Sequence, residues 1–115
     1  MIRPVNLVPQ KARLFRTLGE EGRLSLLEAL VDGEQRVSEL RQATGQGQST
    51  VSTHLTSLHA AGLVERQTEG REARYRLASP SVARLLVAGE EAVLSTLARD
   101  YACTSPCCAE DTASA

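Results

Sequence analysis

Apolar residues recur at helical spacing in five stretches of this chain and at strand spacing in one. Residues 9–18 place Ala12, Leu14, Phe15 and Leu18 on one helical stripe, which Gly19 ends. Residues 21–31 carry Leu24, Leu26, Leu27, Leu30 and Val31, a wide apolar face expected of a helix covered on most sides, and Asp32-Gly33 stops it. A short helix follows, with Ser38 expected as its N-cap, Leu40 and Ala43 inward and Gly45 at its end. Residues 48–61 repeat Val51, Leu55 and Leu58 at i, i+4 and i+7 until Gly62. The period then changes to two. Leu63 to Leu77 reads as two alternating runs around a turn with Gly70 at its tip, a β-hairpin signature. Ser79-Pro80 opens the last helix, in which Val82, Leu85, Leu86, Gly89, Val93, Leu97 and Tyr101 keep one stripe over about five turns.

Two short helices joined by a glycine-containing turn and followed by a hairpin predict a winged helix-turn-helix. The fold class is mainly α with a small β-hairpin wing (α+β), about five helices and one two-stranded hairpin. Residues 1–102 are expected to form one DNA-binding and dimerisation domain. Residues 103–115, T-S-P-C-C-A-E-D-T-A-S-A after Cys103, are small, polar and poor in apolar side chains, and are expected to be a flexible cysteine-containing tail.

Composition adds little and charge placement adds more. The chain has 115 residues, 42% of them hydrophobic but only 3% aromatic, so Leu, Val and Ala must build the core. No run approaches the length of a transmembrane helix and the N-terminus lacks an apolar leader, so the expectation is a cytoplasmic protein with no membrane partner. Thirteen basic and fourteen acidic residues nearly cancel. They are not mixed evenly. Residues 1–19 hold Arg3, Lys11, Arg13 and Arg16 and no acid; residues 42–64 hold no Asp, Glu, Lys or Arg; residues 66–76 hold Arg66, Arg71, Arg74 and Arg76 against Glu69 and Glu72.

The uncharged stretch coincides with the 48–61 helix. With Val51 at the centre of its buried face, the 100° step puts Ser49, Thr53, Thr56 and Ala60 opposite, flanked by Thr50, Ser52 and Ser57. A solvent-facing helix surface ordinarily carries Glu, Lys and Arg, which are better helix formers than Ser and Thr. A small, hydroxylated, acid-free face suits entry into a major groove, where carboxylates would meet phosphates and hydroxyls can bond bases or backbone. Packing against a polar protein surface is the competing explanation. The candidate DNA-binding set is Gln48, Ser49, Thr50, Ser52, Thr53 and Thr56 on the helix, with Arg66, Arg71 and Arg74 on the hairpin reaching phosphates or a minor groove. For the arginines, the alternative is plain surface pairing, Arg66 with Glu69 or Arg71 with Glu72. His54 falls about 60° from Val51 and is expected to be a hydrogen-bonded, half-buried side chain, not a ligand.

Residues 49–77, S-T-V-S-T-H-L-T-S-L-H-A-A-G-L-V-E-R-Q-T-E-G-R-E-A-R-Y-R-L, resemble the core signature of the ArsR/SmtB family of metal-sensing repressors. The matching positions are Ser52, His54, Leu55, Leu58, Ala61, Gly62, Leu63 and Val64, then Gly70, Arg71, Tyr75 and Leu77. The likeness covers roughly residues 10–100. It implies a homodimer joined through the first and last helices that represses an operator on double-stranded DNA until an inducer binds. The family's cysteine pair at the third helix is replaced here by Arg36-Val37-Ser38, and the last helix lacks the histidines of the other familiar site. Nor does the 48–61 helix carry cysteines.

What remains for chemistry is Cys103, Cys107 and Cys108, three thiols within six residues after none in the first 102. An odd, terminal cluster is not a disulfide framework, and three thiolates without histidine are a soft donor set that favours thiophilic ions over Mg or Ca. Three sulfurs and no fourth ligand suit As(III) or Sb(III), whose lone pair takes the open side; the resembling family includes arsenic sensors with three cysteines. Cd(II), Pb(II) or Hg(II) is the alternative inducer, and a thiol-based redox sensor the other. Zn(II) prefers four strong ligands. An enzyme is not expected, since the thiols have neither a C-x-x-C spacing nor a neighbouring base.

Overall fold

The computed structural model describes residues 5–102, which form five helices and one three-stranded sheet in the order α1 (Val8–Leu18), α2 (Glu21–Leu30), β1 (Gln35–Arg36), α3 (Val37–Thr44), α4 (Gln48–Ala60), β2 (Val64–Glu69), β3 (Glu72–Leu77) and α5 (Pro80–Ala102). The described residues divide into two compact units within α5, after Val82. The cysteine tail expected from residue 103 onward lies outside the described residues.

In the first unit α2 packs on both α3 and α4, and most side chains that read as inward in the sequence are removed from solvent. On these helices the exceptions are Ala43, expected inward on α3 but exposed, and Val31, which caps the end of α2 and is exposed as well. Leu26, Leu27, Leu40, Val51, Leu55 and Leu58 are fully buried, and Leu30, Leu63, Val64 and Tyr75 nearly so. Each such leucine contributes about 1.5–3 kcal/mol relative to exposure, so this aliphatic cluster is what fixes the angle between the helices. α1 has no buried residue; Leu14 and Leu18 are half-buried, and Phe15 is 56% exposed.

Helix ends are set by local chemistry. Gly45 (φ 72°) and Gly62 (φ 79°) take the left-handed conformation after α3 and α4. At the first, the Gly45 N–H donates to the Arg41 carbonyl at 2.8 Å; at the second, the Leu63 N–H reaches back to Leu58 at 3.0 Å. Three side chains tie separate parts of the chain together: Arg23 Nε donates to the Thr17 carbonyl (2.6 Å), Gln35 Nε2 to that of Ala29 (2.6 Å) and Gln46 Nε2, between α3 and α4, to that of Gly22 in α2 (3.0 Å).

The sheet differs from the sequence reading in one strand. The hairpin forms as expected, with Val64 opposite Leu77 and Glu69 opposite Glu72 around Gly70 (φ 64°). A third, two-residue strand also pairs with β3 on its other edge, Gln35 opposite Tyr75 and Arg36 opposite Arg74. Two residues are too short to display a period. β1 also moves the start of α3: the helix begins at Val37 after Arg36 in extended conformation (φ −82°, ψ 161°), so Ser38 is inside the first turn and is not the N-cap. Glu39 does the capping instead, its carboxylate accepting the Arg36 N–H at 2.8 Å.

α5 is a continuous helix from Pro80, with Val87, Val93, Leu94 and Leu97 each about half exposed or more.

Candidate nucleic-acid interface

α4 starts at the extended Gly47, and the burial of Val51, Leu55 and Leu58 turns its opposite surface outward. Gln48, Ser49, Thr50, Ser52, Thr53 and Thr56 are all exposed, whereas Ser57 is half-buried. Two of the hydroxyls are already engaged. Thr53 Oγ1 donates to the Ser49 carbonyl and Thr56 Oγ1 to the Ser52 carbonyl, both at 2.9 Å. Their hydrogens point back along the helix and their lone pairs outward, so as they stand they offer acceptors to a base edge.

The inner flank of α4 is held by a polar contact. His54, whose side chain is 16% exposed, places Nε2 3.3 Å from Glu20 Oε2. Its Nδ1 is buried with no hydrogen-bond partner. Glu20 caps α2, its Oε2 accepting the Arg23 N–H at 3.0 Å. Backbone N–H donation from Arg23 and then Gly22 holds the Glu20 carboxyl below its ordinary range; partial burial opposes this, and the charges of His54 and Arg23 reinforce it. Gly22 is small for a reason visible here: a Cβ on it would stand 2.7 Å from His54 Nε2 and 3.0 Å from Glu20 Oε2. His59, by contrast, is exposed.

On the wing, strand register sorts the arginines. Arg76 is tied to Glu65 directly across the ladder, with Nη2 2.7 Å and Nε 2.9 Å from one carboxylate oxygen. Arg74 lies between two carboxylates, 3.4 Å from Glu34 and 3.5 Å from Glu69, and Arg36 Nε is 3.2 Å from Glu72. The surface pairings weighed from sequence, Arg66 with Glu69 and Arg71 with Glu72, therefore do not form, because both acids are engaged elsewhere. Among the described residues neither Arg66 nor Arg71 has an acidic partner. Arg66 stands opposite Tyr75, and so on the other face of the sheet from Arg74.

The candidate residues converge in part. A half-open groove of about 330 Å³ is lined by Arg36, Val37, Ser38 and Arg41 from the α3 side, Gln48 and Ser52 from α4, and Arg71, Glu72 and Ala73 from the hairpin. Gln48, Ser52 and Arg71 meet there; Arg66 and Arg74 do not line it. Arg36 and Arg41 were not among the sequence candidates. Their signal was weak, since nothing in a linear chain sets α3 beside the hairpin turn.

Among the described residues no group of three or more His, Cys, Asp or Glu side chains could hold a metal ion, and no helix is long and apolar enough to cross a membrane. Cys103, Cys107 and Cys108 lie outside the described residues.

Comparison with known proteins bears on this surface. A family model for bacterial regulatory proteins of the arsR family matches residues 20–66. The chain is 42% identical over 103 residues to the HTH-type transcriptional regulator CmtR of Mycobacterium tuberculosis, covering 90% of this chain and 83% of the relative. It is 35% identical over 97 residues to a probable mercury resistance operon repressor of Streptomyces lividans, covering 84% and 74%. It spans 37% of a longer relative, the transcriptional regulator Rv0324 of M. tuberculosis, at 40% identity. Among solved structures it is similar to the homodimeric winged helix-turn-helix DNA-binding domain of Mb0332 from Mycobacterium bovis, with a TM-score of 0.73, 36% identity and coverage of 79% of this chain and 84% of that one.

Proposed function

The chain belongs to the arsR family of bacterial regulatory proteins, and from that premise we propose that it is a repressor: a homodimer that holds double-stranded operator DNA until a thiophilic ion binds its terminal cysteines. The observation that carries the DNA half is the surface of α4. Six exposed residues, Gln48, Ser49, Thr50, Ser52, Thr53 and Thr56, present amide and hydroxyl groups without one carboxylate, beside a groove walled by Arg36, Arg41 and Arg71. α4 enters the major groove and reads bases; Arg66, Arg71 and Arg74 of the wing meet the backbone, Arg74 after leaving Glu34 and Glu69. Dimerisation through α1 and α5 is supported by the homodimeric solved relative and by the exposure of Phe15 on one helix and of Val87, Val93, Leu94 and Leu97 on the other.

The inducer is the finer step. The three thiolates of Cys103, Cys107 and Cys108 make a soft, nitrogen-free donor set that fits As(III) or Sb(III). The relative named for mercury resistance supports the alternative of Hg(II), with Cd(II) and Pb(II) beside it. Whatever factor the ion removes from DNA affinity, DNA removes from ion affinity. The test is a mobility shift on the DNA upstream of the chain's own gene, titrated separately with arsenite, antimonite, Cd(II), Pb(II), Hg(II), Zn(II) and peroxide. Release by arsenite or antimonite that is lost on Cys→Ser substitution at 103, 107 and 108, with DNA binding intact, supports the reading. Full arsenite response in the triple serine variant, or release by peroxide alone, overturns it.

A further inference from the structure

We propose that the groove between α3, the start of α4 and the hairpin turn is a phosphate seat for the DNA backbone, and that Arg36 acts in it by neutralising Glu72. The proposal rests on the DNA-binding reading above and adds the residues that anchor one strand while α4 reads the bases. The groove brings three guanidinium groups, from Arg36, Arg41 and Arg71, to one opening with a single carboxylate, that of Glu72. Arg41 and Arg71 have no acidic partner among the described residues, so each can give its donors to a phosphate without first breaking an ion pair. Glu72 is the obstacle. Unopposed, its carboxylate would repel the phosphate that Arg71 attracts from the next position along the turn.

Arg36 removes that obstacle. Its Nε lies 3.2 Å from Glu72 Oε2, on the strand register that sets β1 against β3. Glu39 accepts the Arg36 backbone N–H at 2.8 Å and so fixes the residue from which the guanidinium extends. Gln48 and Ser52 line the same groove from α4, so a phosphate seated there lies at the edge of the base-reading surface. DNA backbone is the occupant favoured by this continuity, because an isolated small anion would have no use for adjacent base-reading side chains.

The experiment measures binding of the full chain to the upstream duplex and to a random-sequence duplex by fluorescence anisotropy across a salt series. Arg41→Gln should weaken both duplexes alike, by about tenfold per copy for a charged hydrogen bond and so about a hundredfold for the dimer. It should also flatten the log–log salt dependence by about two per dimer, since each phosphate contact contributes about 0.9 and the dimer has two copies. Glu72→Gln should tighten both. Arg36→Gln should weaken both, and Arg36→Gln combined with Glu72→Gln should recover most of that loss; a merely structural role for Arg36 would give no such rescue. All three substituted side chains lie at the surface, and circular dichroism checks that each variant is folded. Unchanged affinity and salt slope in Arg41→Gln, or a double variant no better than Arg36→Gln alone, overturns the phosphate seat while leaving the repressor reading intact. A wild-type chain that binds neither duplex overturns both.

Discussion

Replacing Thr53 and Thr56 together by alanine should make the protein more stable and a worse reader of its operator. Both side chains are exposed, and each spends its hydroxyl hydrogen on a carbonyl of its own helix, Ser49 and Ser52 respectively. Those carbonyls also accept the regular helical N–H, so losing the hydroxyl orphans nothing. Alanine forms helix better than threonine by roughly 0.5 kcal/mol per position, or about 1 kcal/mol for the pair. In a domain of this size that raises Tm by about 4–8 °C. On DNA the sign reverses. A neutral hydrogen bond is worth about 0.5–1.5 kcal/mol net, and a dimer loses four hydroxyls, so operator affinity should fall by about 2–6 kcal/mol. Affinity for random duplex, carried by phosphate contacts, should barely move. Thermal unfolding at fixed protein concentration reads the first effect and anisotropy on two duplexes reads the second. A lower Tm, or equal losses on both duplexes, would refute the claim that this face is shaped for bases at the expense of helix propensity.

Gly22→Ala should destabilise the fold despite adding a better helix former. Overpacking costs about 1–3 kcal/mol against a propensity gain of about 1, because the new methyl stands 2.7 Å from His54 Nε2, and urea melts together with the His54 imidazole resonances would register the displacement. Glu20 should make stability fall in acid: its carboxyl is held low in the folded chain, so its contribution is complete above the unfolded carboxylate range and disappears as pH drops through the lowered folded value. Glu20→Gln should flatten that part of the stability–pH curve on the acid side of the ordinary carboxylate range; an unchanged curve would mean that the cap and the His54 contact contribute nothing.

The helices were legible in the sequence because their apolar residues recur at a spacing that admits one period, whether those side chains end fully buried, as in α2 and α4, or half-buried, as in α1. The exposed face of α4 followed from the burial of Val51, Leu55 and Leu58 by geometry alone. The hairpin was legible from its alternation and from Gly70. What could not be read was anything decided between elements. Ser38 looks like a cap, and would be one if the preceding residues were a loop; β1 makes Arg36 extended and hands the capping to Glu39.

That shift of two residues has an electrostatic consequence. Counting charges along 66–76 gives four arginines and two acids, a clustered excess that suggests a uniformly basic wing. Cross-strand pairing instead assigns Glu65 to Arg76, Glu69 and Glu34 to Arg74, and Glu72 to Arg36. The attraction for a phosphate is therefore concentrated at Arg66 and Arg71, the positions whose nearest acids in sequence are occupied by other partners. The chain supplies enough carboxylate to silence half of its wing, and the register of three short strands determines which half stays available. A one-residue slip of β1 along β3 would take Arg36 out of its pairing with Arg74 and away from Glu72, and return that carboxylate to the groove, with no change in net charge.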